Sequence, residues 1–155
     1  MGKIRDSIKS VPWVAVRNVA FALRKAFAHK EVPEQEHVVV DKNIQELEDI
    51  FRHNHYREGW AVSWYYLGED KNVSRAEYNP GGVVDNYQHH VRMFKVDGGT
   101  TIIYTHYEID PIMHPRKHMN AVDYDVGEGV RMTTSLLEKE GVDYEIIDAG
   151  SHYEH

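Results

Sequence analysis

The sequence predicts an α+β fold, in which helices pack on a mainly antiparallel sheet. Between residues 60 and 109, segments rich in β-branched and aromatic residues are separated by turn signals, a pattern typical of four consecutive strands. Segments with helical periodicity come before and after this region. The predicted order of elements is α-β-α-ββββ-α-β, which fits helices layered on one sheet.

Two helices are predicted on either side of the strand-rich region. Asn43 and Glu46 have the spacing of a capping pair, which predicts a helix that starts after Asn43 and ends near His53. A later helix is expected over about 123–140, because Gly141 provides a typical helix end. Their buried faces are expected to comprise Ile44, Leu47 and Phe51 in the earlier helix, and Val126, Val130, Thr133 and Leu137 in the later one.

Turn signals place the strands. Asp97-Gly98-Gly99 is a strong hairpin signal, and Asn79-Pro80-Gly81-Gly82 interrupts the chain before that hairpin. Residues 68–72 are expected to form a turn, and a loop through Pro111 and Pro115 is expected to lead to the last helix. The predicted strands are 37–40, 60–67, 73–78, 87–96, 100–109 and 144–147.

The start of the chain differs from the rest in charge. Residues 1–30 hold seven Lys or Arg and one acid, a net charge of +6, whereas the remaining 11 basic and 24 acidic residues give −13. Residues 12–29 are predicted to form an amphipathic helix with Pro12 in its first turn. The chain therefore divides into a basic N-terminal helix at 1–30, an α+β domain at 31–148 and a frayed tail at 149–155.

Three interpretations of the basic helix stay open. Its apolar face can pack on the domain's own sheet, dock on a protein partner or a second copy, or bind a membrane surface or a nucleic acid. An acidic domain with a basic arm has the complementarity that self-assembly requires, so a homo-oligomer or a larger assembly is expected. The residues expected to make these contacts are Trp13, Arg17, Arg24, Lys25 and Phe27.

Composition excludes several functional classes. The absence of cysteine excludes a disulfide framework, Cys-ligated zinc and a cysteine nucleophile. There is no run of about 18 apolar residues, so no membrane span is expected, and Arg17 and Arg24 interrupt what would be the apolar part of a secretory signal. No phosphate-binding or dinucleotide-binding glycine motif is present, nor a G-x-S-x-G elbow. A cytoplasmic protein is expected, or a virion component if the source is viral.

The segment 87–118 concentrates polar side chains, and the hairpin brings some of them together. If Asp97 and Gly98 form a two-residue turn, His89 lies opposite His106; if Gly99 joins the loop, His90 does. Glu108 shares a face with His106 in either register. The candidate metal ligands are His89, His90, His106, Glu108, His114 and His118.

The histidine-rich segment has three interpretations. It is a polar sheet edge with a hydrogen-bonded loop, a divalent metal site, or an acid–base site without metal. Two histidines and a carboxylate suit zinc, or iron with open positions. His114 and His118 have i,i+4 spacing and would share a face if that stretch were helical. No other cofactor is expected.

The aromatic strand at 60–67 is expected to be structural. Trp60, Trp64 and Tyr66 fit packing in the core or at an interface. A stacking platform for bases or sugars is the alternative. It is disfavoured because the strand carries no Lys or Arg and is followed by Glu69 and Asp70.

Two resemblances add to these inferences. The run His37-Val38-Val39-Val40-Asp41, the strand at 60–66 and the segment from His106 to Pro115 resemble small uncharacterised proteins of haloarchaea and their viruses, a similarity that covers 37–148. The hairpin followed by Tyr107-Glu108 and His114-x-x-x-His118 resembles the TumE type of toxin–antitoxin protein. That family's Asp-Asn and Gly-Asp-His-x-His pattern is missing here, so no functional residue is transferred.

The leading functional hypothesis is a non-enzymatic interaction or assembly domain, such as a structural or adaptor subunit of an archaeal virus or mobile element. The alternative is a metal-dependent hydrolase or nuclease that uses the His/Glu cluster. A regulatory protein acting on RNA is a third hypothesis.

Overall fold

The computed structural model describes residues 34–58, 68–77, 87–110, 114–121 and 123–149. Within these ranges the chain forms six strands, three α-helices and a short 3₁₀ turn at Asp97–Gly99, which confirms the predicted α+β class. The elements are β1 (His37–Val40), α1 (Ile44–His53), β2 (Arg57–Glu58), β3 (Lys71–Glu77), β4 (Tyr87–Lys95), β5 (Thr101–Ile109), α2 (Pro115–Met119), α3 (Val126–Lys139) and β6 (Glu145–Ile147).

Several predictions concern residues outside the described ranges. The helix at 12–29 and the aromatic strand at 60–67 both fall there. The contacts predicted for the basic helix therefore stay predictions, as does the packing of the aromatic strand. The residues concerned are Trp13, Arg17, Arg24, Lys25, Phe27, Trp60, Trp64 and Tyr66.

The described strands form one sheet in the order β2-β3-β4-β5-β1-β6, and every adjacent pair is antiparallel. The hairpin strands β4 and β5 therefore lie in the interior of the sheet, flanked by β3 on one side and β1 on the other. The interpretation of the histidine segment as a polar sheet edge is wrong for this reason. An interior position removes the side chains of these strands from the exposed rim of the sheet.

Capping explains where the two longer helices begin. Oδ1 of Asn43 accepts hydrogen bonds from the backbone nitrogens of Gln45 and Glu46, both at 3.1 Å, which agrees with the capping role predicted for Asn43 at the start of α1. The later helix begins at Val126 rather than near 123, because Asp125 is its cap and accepts from Glu128 N at 2.9 Å. It ends before Gly141, whose φ of +67° is the left-handed conformation that glycine adopts without strain.

One face of the sheet, named here the helix face, packs against α1 and α3. The predicted stripe residues Leu47 and Phe51 are fully buried there, and Ile44 is partly buried. Full burial of one such side chain contributes about 1.5–3 kcal/mol. The buried cluster comprises Val38, Val40, Leu47, Phe51, Tyr56, Val73, Val91, Met93, Ile103, Val130, Leu136, Leu137 and Val142.

Three further expectations are corrected. The strand predicted to begin at Val73 begins at Lys71, so the turn before it is shorter than expected. The loop predicted through Pro115 contains the short helix α2, where Pro115 occupies the first turn and lacks only an N–H that a helix start does not use. The two-residue strand β2 was not predicted. Among the described residues, no helix has both the length and the apolar character that crossing a bilayer requires.

Candidate metal centre

The hairpin register brings two histidines together. The pairing of Tyr87 with Ile109 and of His90 with His106 corresponds to the three-residue loop, so the alternative register with His89 opposite His106 is wrong. Gly98 and Gly99 adopt φ values of +88° and +94°, which glycine tolerates and which this loop requires. A pairing shift of one residue would turn every side chain of one strand to the other face.

Three donor groups converge on the sheet face opposite the helix face, named here the histidine face. His90, His106 and Glu108 are 3%, 3% and 5% exposed, and each offers a ligand atom within 4.8 Å of the other two. His90 Nδ1 lies 3.2 Å from His106 Nε2 and 3.2 Å from Glu108 Oε1. His106 Nε2 lies 3.2 Å from Glu108 Oε2. These three residues form the metal-site candidate, named here the His-His-Glu cluster.

A buried amide fixes the tautomer of His90. The side-chain nitrogen of Asn72 donates to Glu69 Oε1 at 2.9 Å, so Asn72 Oδ1 faces His90 Nε2 at 2.6 Å as an acceptor. His90 Nε2 must therefore carry the proton and donate it to Asn72. Neutral His90 then has its lone pair on Nδ1, directed at the centre of the cluster.

Two further side chains contact the carboxylate of Glu108. Gln88 Nε2 donates to Oε1 at 2.6 Å and holds the carboxylate in place. His118, on α2, places Nδ1 3.2 Å from Oε2, and its side chain is 28% exposed. That contact lacks hydrogen-bond geometry, and Nδ1 of His118 has no hydrogen-bond partner in the described part of the chain. His118 thus lies at the more exposed end of the cluster but outside the set of mutually close donor atoms.

Burial keeps the imidazoles neutral. Desolvation lowers the pKa of His90 to about 4, against hydrogen bonding to Glu108, which acts to raise it. Desolvation also lowers the pKa of His106. Burial acts to raise the pKa of Glu108, but hydrogen bonds to His106 and His90 outweigh it and hold that pKa below its usual range. Near neutral pH the cluster therefore combines two neutral imidazoles with one carboxylate.

Tyr124 covers the cluster from the loop before α3. Its ring stacks on His106 with centroids 4.3 Å apart, and its hydroxyl donates to Gln35 Oε1 at 3.2 Å. The loop is held in place because Asp125 and Tyr107 exchange two backbone hydrogen bonds of 2.8 Å. The sequence pattern did not single out Tyr124, because this bridge joins residues that are distant in the chain.

His89, a predicted candidate ligand, lies on the helix face because it is one residue from His90 in the strand. Tyr56 hydroxyl contacts its Nδ1, and its Nε2 lies 2.6 Å from Thr105 Oγ1. Thr105 in turn donates to the carbonyl of His90 at 3.1 Å. Burial, followed by the charge of Arg75, lowers the pKa of His89 to about 3, so this ring is a neutral part of the core.

The structure also places the other predicted candidates. His114 is the partly buried N-cap residue of α2, and its backbone carbonyl accepts from His118 N at 3.0 Å. Its side chain does not belong to the set of donor atoms that lie within 4.8 Å of one another in the described ranges. Asn72 and Gln88 were missed, because their contacts depend on which strands pair, and no local pattern gives that.

No protein-family model, curated protein or solved structure is significantly similar to this chain. The resemblances inferred from sequence segments therefore stay predictions.

Proposed function

We propose that this protein is a metalloprotein that binds one divalent transition metal through His90, His106 and Glu108, with hydrolysis as its reaction class. The observation that supports it best is the convergence of three buried donor groups, in which His90 Nδ1, His106 Nε2 and the carboxylate of Glu108 each lie 3.2 Å from the next. Without a metal, a proton on His106 Nε2 lies within reach of both His90 Nδ1 and Glu108 Oε2. A metal ion would replace that proton and bind all three groups at once.

The spacing of the donor atoms suits zinc. A four-coordinate zinc with bonds of about 2.0–2.1 Å has neighbouring ligand atoms about 3.3–3.4 Å apart. His90 Nδ1 and His106 Nε2 lie 3.2 Å apart, close to that value. Each also lies 3.2 Å from one oxygen of Glu108, His90 from Oε1 and His106 from Oε2.

The surroundings of the cluster resemble the supporting shell of a metal site. Histidine ligands generally donate their second ring nitrogen to an oxygen acceptor, which orients the ring and increases its basicity. Asn72 accepts that hydrogen bond from His90, and Gln88 holds Glu108. Both contacts restrict the ligands before an ion binds.

Three protein ligands leave one position of a tetrahedral zinc for water. Zinc lowers the pKa of such a water towards about 7, which supplies hydroxide for hydrolysis near neutral pH. His118 lies at the more exposed end of the cluster and contacts Glu108. Hydrolysis is therefore the reaction class that the donor set supports best.

The full chain, purified without a histidine tag or a chelator, is expected to bind close to one equivalent of zinc per chain. Elemental analysis and titration with zinc, manganese and iron measure the stoichiometry. His106→Ala and His90→Ala are each expected to abolish stoichiometric binding, because each removes one of three ligands. Asn72→Leu is expected to weaken affinity by about 10–100-fold while all three ligands remain.

His53→Ala is the matched control, because it removes an exposed imidazole from α1. It should bind zinc like the unmodified chain. Equal zinc binding by His106→Ala and His53→Ala would rule out the proposed site, and so would the absence of binding to the folded chain. Loss of zinc on unfolding, followed by circular dichroism, separates binding at the site from binding to scattered histidines.

Assembly is a second proposal, supported by the net charge of +6 on residues 1–30 against −13 on the rest. The full chain is expected to self-associate at low salt and to dissociate as salt rises, because exposed charges are screened beyond about 8–10 Å. Light scattering after size exclusion measures this. Arg24→Glu with Lys25→Glu should weaken association, whereas Arg131→Glu on α3 should not. A monomer at every salt concentration would end the proposal.

A further inference from the structure

A partly buried arginine lies beside the His-His-Glu cluster, and its Nε has no close partner among the described residues. Arg92 is two residues from His90 on β4 and therefore points to the histidine face, diagonally across from His106. Its side chain is 17% exposed and its nearest carboxylate oxygen, Glu69 Oε1, is 3.9 Å from Nε. In the described part of the chain, Arg92 Nε is buried and makes no hydrogen bond.

Glu69 gives Arg92 only part of the compensation that a buried cation needs. The same oxygen, Oε1, already accepts a hydrogen bond from Asn72 at 2.9 Å. A buried guanidinium normally has its donors satisfied by close hydrogen bonds, since burial without them costs several kcal/mol. Arg92 thus has a donor to offer to a ligand on the histidine face.

The charge of Arg92 reaches the cluster. It acts to lower the pKa of both His90 and His106, although burial is the larger cause. It also acts against burial at Tyr124, whose pKa is raised overall. The guanidinium therefore lies on the same side of the sheet as the proposed metal and the Tyr124 cover.

The charges around a loaded site would not balance. Among the described residues, a divalent ion and Arg92 would supply three positive charges, while the buried carboxylates of Glu108 and Glu69 supply two negative charges. One positive charge would be left over beside the partly exposed side chains of Arg92 and His118. A ligand with a single negative charge and two oxygens would neutralise it, because guanidinium groups bind carboxylate and phosphate oxygens through paired donors.

We propose that a singly charged oxyanion, a carboxylate or a phosphodiester group, binds between the metal and Arg92. One oxygen takes the position left open on the metal, and the other accepts from the guanidinium. The inference rests on the proposed metal site and names its ligand class. It extends the site from three ligands to a recognition surface that includes Arg92.

Titration calorimetry on the zinc-loaded full chain, freed of unbound metal, tests this with acetate and with dimethyl phosphate. At least one anion is expected to bind. Tighter binding of dimethyl phosphate assigns the site to phosphodiesters, and tighter binding of acetate assigns it to carboxylates. The neutral ester trimethyl phosphate is expected not to bind, since it carries no charge.

Arg92→Gln is expected to weaken anion binding at least tenfold and to leave the zinc content unchanged. Arg92→Lys keeps the charge without the paired donors, so its anion affinity should lie between those of the unmodified chain and Arg92→Gln. This variant also provides the test if Arg92→Gln does not fold. Arg131→Gln removes an exposed arginine of α3 and should have no effect.

Full zinc content with no binding of either anion would overturn the oxyanion site and leave the metal site standing. Equal anion affinities for Arg92→Gln and the unmodified chain, or for metal-free and zinc-loaded protein, would do the same. A chain that holds no zinc before any anion is added overturns both proposals.

Discussion

Replacement of Gly129 by alanine is expected to destabilise the fold by about 3 kcal/mol, at the upper end of the range for overpacking of a close contact. A β-carbon on Gly129 would lie 2.4 Å from the Cα of His106 and 2.6 Å from its nitrogen. Both atoms belong to the backbone of an interior strand, so they cannot move aside as a flexible side chain would. Denaturation by urea, with zinc removed, measures the loss.

Gly127→Ala provides a control in the same helix. Among the described residues, a β-carbon there meets only Asp125 Oδ1, at 3.6 Å, which is an ordinary contact. Alanine favours a helix over glycine by up to about 1 kcal/mol, so this variant should be equally stable or more stable. Similar losses for the two variants would show that α3 does not pack against the His106 backbone as described. Gly129→Ala is also expected to weaken zinc binding, because the same shift displaces a ligand.

Acidification of the metal-free protein is expected to reduce stability steeply between about pH 6 and pH 4. Burial lowers the pKa of His89 to about 3 and that of His90 to about 4, and it also lowers that of His106. Below pH 6.5 the unfolded chain binds protons that the folded chain excludes. The stability from these groups is therefore complete above pH 6.5 and is lost as the pH falls towards the folded values. Near pH 5, His89 and His90 together give a slope of about 3 kcal/mol per pH unit, and the lowered pKa of His106 makes it steeper.

The pH dependence of the free energy of unfolding can be measured separately from its value at pH 7. His89→Gln removes one of these groups and should lower the slope by about 1.4 kcal/mol per pH unit, whatever it does to stability at pH 7. His90→Gln gives a second test of the same size. If His89→Gln and the unmodified chain have the same slope, the conclusion that the His89 ring is neutral in the folded core is wrong.

The local elements were predictable because their signals lie within a few residues. Asn43 stands at a helix start, and Gly141 follows a helix end, in positions set by hydrogen bonding within one turn. The hairpin loop was also visible, but its register was not. The same sequence is compatible with a two-residue and a three-residue loop, and the observed pairing of His90 with His106 shows that the three-residue loop forms.

The supporting residues of the site were not predictable from the sequence. Asn72 reaches His90 because β3 pairs with β4, and that pairing is set by packing across the whole sheet. The role of Arg92 likewise depends on which face of an interior strand is buried. Periodicity indicates that alternate residues share a face. In β4 both faces are buried, so the pattern of apolar residues does not show which face packs against the helices.

All three proposed ligands lie between residues 90 and 108, on two strands joined by one short loop. Closing so short a loop costs little chain entropy, so a metal ion has access to its ligands before the rest of the sheet has formed. In the slipped register His89 would replace His90 opposite His106, so an ion bound to the hairpin holds the two strands together in either pairing. Binding to partly folded chains also reduces the stabilisation that zinc gives at equilibrium. We therefore expect zinc to increase the refolding rate. We expect it to raise the free energy of unfolding by less than its affinity for the folded chain alone would give.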